Sequence, residues 1–493
     1  MKTSTLYRFT YIYLALPLFI FLISWLDFGI GLILDILFGY GFYKIYPKDS
    51  DETLNLNINT LLLFVIIAFI WCFCGGIGYF YHQPFDYHFR NAVFRDLINF
   101  EWPVFYDNAN TPMVYYMAFW LIPALVGKLL VLCGASLEGA FLGANAFLLM
   151  YAIFGTVLIF IHVIKAINAD CKKKIFTAIF LFIFFSGLDI IGHKFFLIVE
   201  PPFEYHLDWW AAHIQYSSLT TSMFWVFNQF IPVCLLIFLI YNEKKVKSFG
   251  FLIPISLFFA PYPTASIGFF MVVFAIKEII KSDNKKYYIM ENILSIPNLI
   301  GVFWILPVVI MYFITNTEGM YGYYYIFSYT TPFRLLLFYT LEFLLYVIIL
   351  YPKYKTDVFF KTVIVLLIAI PFLRLDQQNN FCMRAAIPAL VILSIYAIRF
   401  VLYSPNSITK YVFIGLFIIG SITPIVEFYR GFYYTSKAQK INLVADEIYT
   451  LNKKLVIMPV FYWDANHQYT AKNYKTDFFW QYMAKKTKGL NKN

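Results

Sequence analysis

The segment from His82 to Asp107, HQPFDYHFRNAVFRDLINFEWPVFYD, concentrates residue types that can do chemistry in an otherwise apolar chain. Asp86 lies five residues past the apolar run 59–81. A carboxylate held there, shielded from bulk water by a membrane surface, can accept a proton from a hydroxyl group. The segment therefore predicts a general base at Asp86. The structural alternative is an N-cap, since Asp is a favoured cap and a helix is predicted over 87–99.

A second polar segment, 193–219, mixes carboxylates, histidines and tryptophans in PFEYHLDWWAAHIQY. Its donors suit either a divalent metal or the hydroxyl groups of a sugar, with tryptophan as a stacking plane. The candidate substrate-binding residues are Glu204, His206, Asp208, Trp209, His213 and Gln215. A solvated loop with anchoring tryptophans is the alternative. No HxxxH or DxD spacing assigns metal ligands, so no cofactor is certain and a divalent metal stays open.

A third polar segment, RLDQQNNFCMR, ends at Arg384, where a helix over 384–402 is predicted to begin. A guanidinium there can pair bidentately with a phosphate. The alternative is an arginine that reaches to the lipid headgroups. Asp376 in this turn and His88 beside Asp86 complete the candidate substrate-binding residues, whereas Asp96 and Glu101 are expected on the surface or in salt bridges.

These segments separate long apolar runs. The 493 residues are 61% hydrophobic and 13% charged, whereas soluble domains carry about 25% charged residues. Recurrent runs of 18 or more apolar residues can each cross a bilayer as a helix. The composition therefore predicts an all-α polytopic membrane protein with about 11–13 transmembrane helices. The net charge of +10 lies in short clusters between the runs, which argues against nucleic acid as a partner.

The lysine clusters predict the topology, because positively charged connections stay in the cytoplasm. They occupy alternate connections, namely Lys165 with Lys172–Lys174, Lys244–Lys247, Lys277–Lys286 and Lys353–Lys361. Residues 1–45 are interpreted as a helical hairpin, with one long helix and an interfacial tail as the alternative. Segment 113–133 is interpreted as interfacial, because Pro123, Gly127 and Lys128 interrupt its apolar run.

With this topology, loop 82–138 and the other polar segments face the outside. The predicted organisation is a transmembrane domain, 1–428, followed by a small extracytoplasmic segment, 429–493. In this arrangement five of the seven histidines lie in the first two external segments, and they are His82, His88, His193, His206 and His213.

The order HQPFDYHFRNAVFRDL, WPVFY and PMVYYMAFWLIPALVGKLL, followed by a helix that returns inward, resembles the GT-C class of integral-membrane glycosyltransferases. The stretches HLDWWAAHIQYSSLTTSMFWVFNQFIP, APYPTASIG, DQQNNFCMRAAIPAL and FFWQYMAKK are similar to large bacterial membrane proteins of that type. The resemblance implies a GT-C-like fold in the bacterial inner membrane with an extracytoplasmic active site. It further implies a polyprenyl-phosphate-linked sugar as donor and a glycan or lipid as acceptor. Asp86 matches the general base, and Arg384 matches the residue on the lipid phosphate.

Three other functions remain open. A polysaccharide polymerase or ligase also acts on polyprenyl-diphosphate carriers, with arginine and histidine from external loops. A transporter or flippase of lipid-linked glycans would place ionisable residues near mid-membrane, where this chain has few, such as Glu342. A non-catalytic assembly factor of the cell envelope is the third.

Overall fold

The computed structural model describes residues 1–107, 109–197, 206–316, 324–375, 379–438, 469–487 and 490. Its α-helices are α1 (Thr3–Trp25), α2 (Phe28–Ile45), α3 (Ile58–Cys74), α4 (Tyr87–Asn99), α5 (Ala118–Leu132), α6 (Leu137–Ile167), α7 (Lys172–Ile183), α8 (Asp189–Phe196), α9 (Leu219–Phe238), α10 (Phe249–Phe259), α11 (Pro261–Lys281), α12 (Lys285–Tyr288), α13 (Ile296–Ile300), α14 (Leu306–Ile314), α15 (Pro332–Tyr339), α16 (Leu345–Tyr354), α17 (Val358–Ala369), α18 (Asn380–Tyr403), α19 (Ile408–Gly420) and α20 (Ile422–Lys437). Two short antiparallel pairs join β1 (Phe105–Tyr106) to β2 (Thr111–Pro112) and β3 (Tyr324–Tyr325) to β4 (Leu373–Arg374).

The described chain contains nine helices long and apolar enough to cross a membrane. This confirms an all-α polytopic membrane protein. Four shorter apolar helices, of 10 to 17 residues, accompany them, and the count of 11–13 spans stays a prediction. The N-terminal hairpin is present: α1 and α2 are separate helices, and the Asp27 side chain caps α2 by accepting a hydrogen bond from Gly29 N at 3.1 Å.

The lysine clusters meet at one end of the helix bundle, called here the lysine-bearing end. Lys165 pairs with Glu52 at 2.5 Å, and Lys245 donates to the carbonyl of Ile45. Lys247 pairs with Glu291 at 2.6 Å. The lysine-bearing connections, which alternate along the chain, therefore lie together at one end of the bundle. Which side of a membrane this end faces stays a prediction.

The other end of the bundle, called here the opposite end, is closed by the described part of the C-terminal segment. Residues 469–487 run back over the helices: Val114 N donates to the carbonyl of Tyr469, and Asp27 N donates to the carbonyl of Met483 at 2.7 Å. The predicted boundary between 428 and 429 falls inside α20, which runs to Lys437. Residues 469–487 of the C-terminal segment are therefore an ordered part of the opposite end.

Helix α5, within the segment expected to be interfacial, runs antiparallel to the first half of α6. The Phe119 and Tyr151 rings lie 5.1 Å apart, and a Cβ atom at Gly127 would lie 3.1 Å from Ala144. Helix α5 therefore packs along the first half of α6 only, and Lys128 near its C-terminus donates to the carbonyls of Ile98 and Phe100, at the end of α4. Its depth in a bilayer stays a prediction.

Helix α9 forms the centre of the bundle, and all twenty of its residues are buried. It begins at Ser218, whose hydroxyl accepts a hydrogen bond from Thr221 N at 2.8 Å. The backbone leaves helical geometry at Val226, with φ −139° and ψ 40°. A broken helix is tolerated in a membrane where protein groups satisfy the released backbone. At this break the released carbonyls point toward α4.

Candidate functional site

Helix α4 begins at Asp86, as the sequence predicts, but Asp86 does not cap it with a side-chain hydrogen bond. Its Oδ2 instead pairs with Arg90 Nη2 at 2.9 Å, four residues on, one helical turn away. The Asp86 side chain is 41% exposed, whereas that of Arg90 is 3% exposed. The ion pair therefore fixes one carboxylate oxygen and leaves a face of the group open.

Arg90 also joins α4 to the broken helix α9. Its Nη1 donates to the carbonyl of Trp225, and the Tyr87 hydroxyl donates to the carbonyl of Phe224 at 3.1 Å. Burial lowers the pKa of Arg90, but the Asp86 carboxylate together with the Tyr115 and Tyr116 hydroxyl groups raises this pKa above its usual value. Arg90 is thus a permanent positive charge, and it holds Asp86 beside the break in α9.

Arg384 lies in the first turn of α18. Its Nη1 donates to the Tyr116 hydroxyl at 3.0 Å, and its Nη2 donates to Asn380 Oδ1 at 3.2 Å. Its buried Nε has no hydrogen-bond partner among the described residues. Neither neighbour is a carboxylate, so the guanidinium keeps its full positive charge available to an anion.

The structure brings Asp86 and Arg384 together. Arg384 bonds to the Tyr116 hydroxyl, and the Tyr116 ring packs on Tyr115. Tyr469 packs on Tyr115 and also on Phe89, which lies three residues after Asp86 in α4. We call Asp86, Arg90, Tyr116, Arg384 and Tyr469 the Asp–Arg site. A carboxylate beside two arginines is suited to hold a hydroxyl group next to a phosphate.

Aromatic rings form one wall of the Asp–Arg site. The Tyr115 and Tyr116 ring centroids are 3.9 Å apart. Tyr469, from the C-terminal segment, packs on Tyr115 at 4.7 Å and lies nearly parallel to Phe89 at 5.8 Å. The tail therefore contributes a side chain to the site and does not only cover it.

A second group of ionisable residues is buried behind Trp225. Asp189 accepts hydrogen bonds from Ser186 Oγ at 2.7 Å and Thr423 Oγ1 at 3.0 Å. The Trp210 indole N–H donates to Glu342 Oε1 at 2.8 Å. We call Asp189, His206, Asp208, Glu342, Glu427 and Arg430 the acid cluster. It gathers four carboxyl groups from four parts of the chain in the protein interior.

Arg430 partly balances the charge of the acid cluster, and His206 lies beside the carboxylate that Arg430 contacts. Arg430 pairs with Glu427, and His206 Nδ1 lies 3.5 Å from the other oxygen of the same carboxylate. Asp208 is 1% exposed, and neither of its carboxylate oxygens has a partner among the described residues. Burial raises the pKa of Asp208 well above its usual range, and the nearby carboxylates of Asp189 and Glu427 raise it further. Its protonated form is therefore favoured.

Trp225 connects the acid cluster to the Asp–Arg site. Its carbonyl accepts from Arg90, while its indole N–H donates to Glu427 Oε2 at 3.2 Å. The His206 ring lies 4.8 Å from the Trp225 ring, and the Arg430 guanidinium lies 4.8 Å above it. The two groups of residues are therefore neighbours separated by one side chain.

The other predicted site residues are distributed as follows. His88 is exposed on α4, and Trp209 is half-buried beside His206. His213 lies elsewhere, with its ring 5.9 Å from Tyr329, and Gln215 donates to Ser217 Oγ at 2.8 Å. Burial and then Arg374 lower the pKa of His213. Glu204 and Asp376 lie outside the described residues.

Several residues of the two sites are not recognisable as site residues from the sequence alone. The spacing of Asp86 and Arg90 is a detectable helical pair, whereas Tyr469 and Glu427 carry no local signal. Asp96, expected on the surface or in a salt bridge, is fully buried, so its expected surface position was wrong. In the described part of the chain no group of three or more His, Cys, Asp or Glu side chains is arranged to hold a metal ion.

No protein-family model, curated protein or solved structure matches this chain.

Proposed function

We propose that this protein is a membrane glycosyltransferase that moves a sugar from a polyprenyl-phosphate donor to an envelope or surface-glycan acceptor on the outer side of the bacterial inner membrane. The Asp–Arg site is where the transfer takes place. The proposal extends the resemblance to the GT-C class, and it assigns a role to each charged residue of that site.

The observation that carries the proposal is that one set of packed aromatic rings, Tyr116, Tyr115, Tyr469 and Phe89, connects Arg384 of α18 to the start of α4, where Asp86 lies. Asp86 and Arg384 lie about three hundred positions apart in the sequence, yet α4 and α18 bring them into one site. A base must reach the acceptor hydroxyl while fixed positive charge meets the departing phosphate. The half-exposed carboxylate and the carboxylate-free guanidinium match those two requirements.

In the proposed reaction, Asp86 accepts the proton of the acceptor hydroxyl as its oxygen bonds to the anomeric carbon of the sugar. The bond between that carbon and the phosphate oxygen breaks, and the phosphate leaves with the electron pair. Arg384 stabilises the negative charge of the leaving polyprenyl phosphate. Arg90 is a positioning residue that orients Asp86 and does not touch the substrate.

The direct test is Asp86→Asn, which keeps the shape of the side chain and removes the base. Sugar transfer from a polyprenyl-phosphate donor should fall by a factor of about 10² to 10⁴. Glu101→Gln is the matched control, because Glu101 is an exposed carboxylate of the same loop. Normal transfer by well-expressed Asp86→Asn protein would remove Asp86 from the mechanism.

Substitution of Arg384, compared with that of Asp86, distinguishes a transferase from a polymerase or ligase. A polymerase that relies on arginine and histidine should tolerate Asp86→Asn and lose activity in Arg384→Ala. The transferase should lose activity in both variants. Arg334→Ala serves as the control, because Arg334 is an exposed arginine in the first turn of α15 at the same end of the bundle.

The acid cluster favours a second candidate, a proton-coupled transporter or flippase of lipid-linked glycans. Buried carboxylates within membrane helices often form proton relays. Such a protein would acidify or alkalinise the vesicle lumen as it moves its substrate, and Glu427→Gln would abolish that coupling. Reconstituted protein that transfers sugar with no proton movement would exclude this candidate.

A further inference from the structure

We infer that a cavity at the lysine-bearing end binds a phosphate group, independently of the Asp–Arg site. The cavity has a volume of about 380 Å³, within the range of small-molecule sites. The first turn of α1, the loop after α2 and the segment after α9 surround it. The residues that argue for an anion are Thr3, Ser4, Lys44, Lys48 and Lys245.

Two hydroxyl groups in this cavity lack partners. The side chains of Thr3 and Ser4 are 1% and 2% exposed, and neither Oγ atom has a hydrogen-bond partner in the described part of the chain. A buried hydroxyl without a partner is costly, so a bound acceptor would stabilise both. Both belong to the N-terminus of the 23-residue helix α1, which is the positive end of its dipole.

The backbone of this turn is partly occupied, because Thr3 N already donates to the carbonyl of Glu52 at 2.9 Å. The side chains therefore carry the proposed site. Such a site differs from a simple helix N-terminus, since its donors are two hydroxyls and several ammonium groups.

The charges that face the cavity favour an anion. Lys44, Lys48 and Lys245 line it against the carboxylates Glu52 and Glu243. Glu52 is neutralised by Lys165 at 2.5 Å. The remaining carboxylate, Glu243, accepts the Tyr11 hydroxyl at 2.6 Å and lies 3.9 Å from Lys245.

Two of the lysines remain available to a ligand. Among the described residues neither Lys44 nor Lys48 has a carboxylate partner, and the Lys44 ammonium lies 5.2 Å above the Tyr40 ring. Each can therefore contribute its full charge.

A phosphate group matches these donors better than a carboxylate. It offers three acceptor oxygens and up to two negative charges, enough for two hydroxyls and two ammonium groups. Two sources supply this chemistry, the headgroup of an anionic lipid in the adjoining leaflet and a soluble phosphate. The shared prediction is a phosphate held between the α1 N-terminus and the two unpaired lysines.

The test uses the full-length protein in detergent and in nanodiscs. Inorganic phosphate is titrated at constant ionic strength while the melting temperature is followed. In parallel, nanodiscs of phosphatidylcholine, with or without phosphatidylglycerol, are compared by the lipid that stays bound after detergent extraction. Stabilisation by phosphate alone identifies a soluble ligand, and selective retention of phosphatidylglycerol identifies a lipid headgroup.

Three variants make the result specific. The double variant Lys44→Gln/Lys48→Gln and the double variant Thr3→Val/Ser4→Ala should each weaken binding about tenfold or more. Lys361→Gln, an exposed lysine of the same end outside the cavity, should bind as the wild type does. Equal binding by all four proteins, or no response of the wild type to either probe, would overturn the proposal.

Discussion

The guanidinium of Arg90 donates a hydrogen bond to the carbonyl of Trp225, one residue before the break in α9. The same guanidinium holds Asp86. One side chain therefore stabilises the broken helix and positions the proposed base. The break in α9 and the Asp–Arg site depend on each other.

Replacing Arg90 should destabilise the protein. In Arg90→Met the buried carbonyl of Trp225 loses its donor, which costs roughly 1–3 kcal/mol in the free energy of unfolding. The lost ion pair adds less than about 1 kcal/mol, because Asp86 is partly exposed to solvent. Thermal unfolding in detergent measures the sum, with Arg334→Met as the exposed control. Equal melting temperatures for Arg90→Met and the wild type would contradict this role.

Asp208 should make stability depend on pH. Its pKa in the folded protein is raised above the unfolded value of about 3.9, so the folded state binds more protons. Stability is then greatest below the unfolded pKa and falls as the pH rises toward the folded pKa.

The variant Asp208→Asn cannot titrate at this position. Its free energy of unfolding should therefore decline less steeply than that of the wild type over the same pH range. The two slopes should differ by up to about 1.4 kcal/mol per pH unit. Denaturant unfolding across a pH series measures both slopes. Asp283→Asn, an exposed aspartate, should keep the wild-type slope. An Asp208→Asn slope that equals the wild-type slope would place the titration elsewhere.

Gly192 should not tolerate a side chain. A Cβ atom at this position would lie 2.2 Å from Trp210 Cδ2, and Trp210 holds Glu342. Gly192→Ala should therefore lower the free energy of unfolding by about 1–3 kcal/mol. Gly415→Ala is the matched control, because a Cβ atom there meets nothing within 4 Å and the helix gains an alanine. Comparable melting temperatures for both variants would show that Trp210 has room to move.

The two exposed cysteines can test the sidedness. Cys133 lies at the opposite end and Cys171 at the lysine-bearing end, whereas Cys72, Cys234 and Cys382 are buried. If the lysine-bearing end is cytoplasmic, a membrane-impermeant maleimide should label Cys133 in intact cells and Cys171 only after permeabilisation. Cys133→Ser and Cys171→Ser identify the labelled residue. The reverse pattern would invert the topology and place the Asp–Arg site inside.

Local sequence patterns predict those helices and turns whose ends are determined by residues within the element itself. The helix over 87–99 matches α4. The apolar runs 249–261 and 264–280 predict two helices with a turn at 261–263. The structure has the two helices, α10 and α11, but the break lies at Ala260 and residues 261–263 form the first turn of α11. Cap and proline preferences act within a few residues, so a single sequence contains them. The Asp86–Arg90 ion pair is predictable for the same reason, because the two residues are one helical turn apart in the sequence.

Other elements depend on distant partners. The apolar run 174–192 predicts one helix, but α7 ends at Ile183 and α8 begins at Asp189. Between them Gly187 packs directly against Glu342, a contact that no local pattern contains. Likewise, the apolar run 220–241 predicts one continuous helix, but its backbone breaks at Val226, where α4 supplies donors to the freed carbonyls. The sequence singles out His206 and Asp208 but does not show that they meet Glu342, Glu427 and Arg430, since the members of the acid cluster are scattered from Asp189 to Arg430.

The contribution of Tyr469 has a consequence for how the protein is made. This residue follows every helix of the bundle in the order of synthesis, from α1 to α20. The wall that it forms with Tyr115 and Phe89 is therefore absent while the ribosome is still inserting the bundle. A nascent chain with all its helices in the membrane would therefore still lack this wall of the Asp–Arg site.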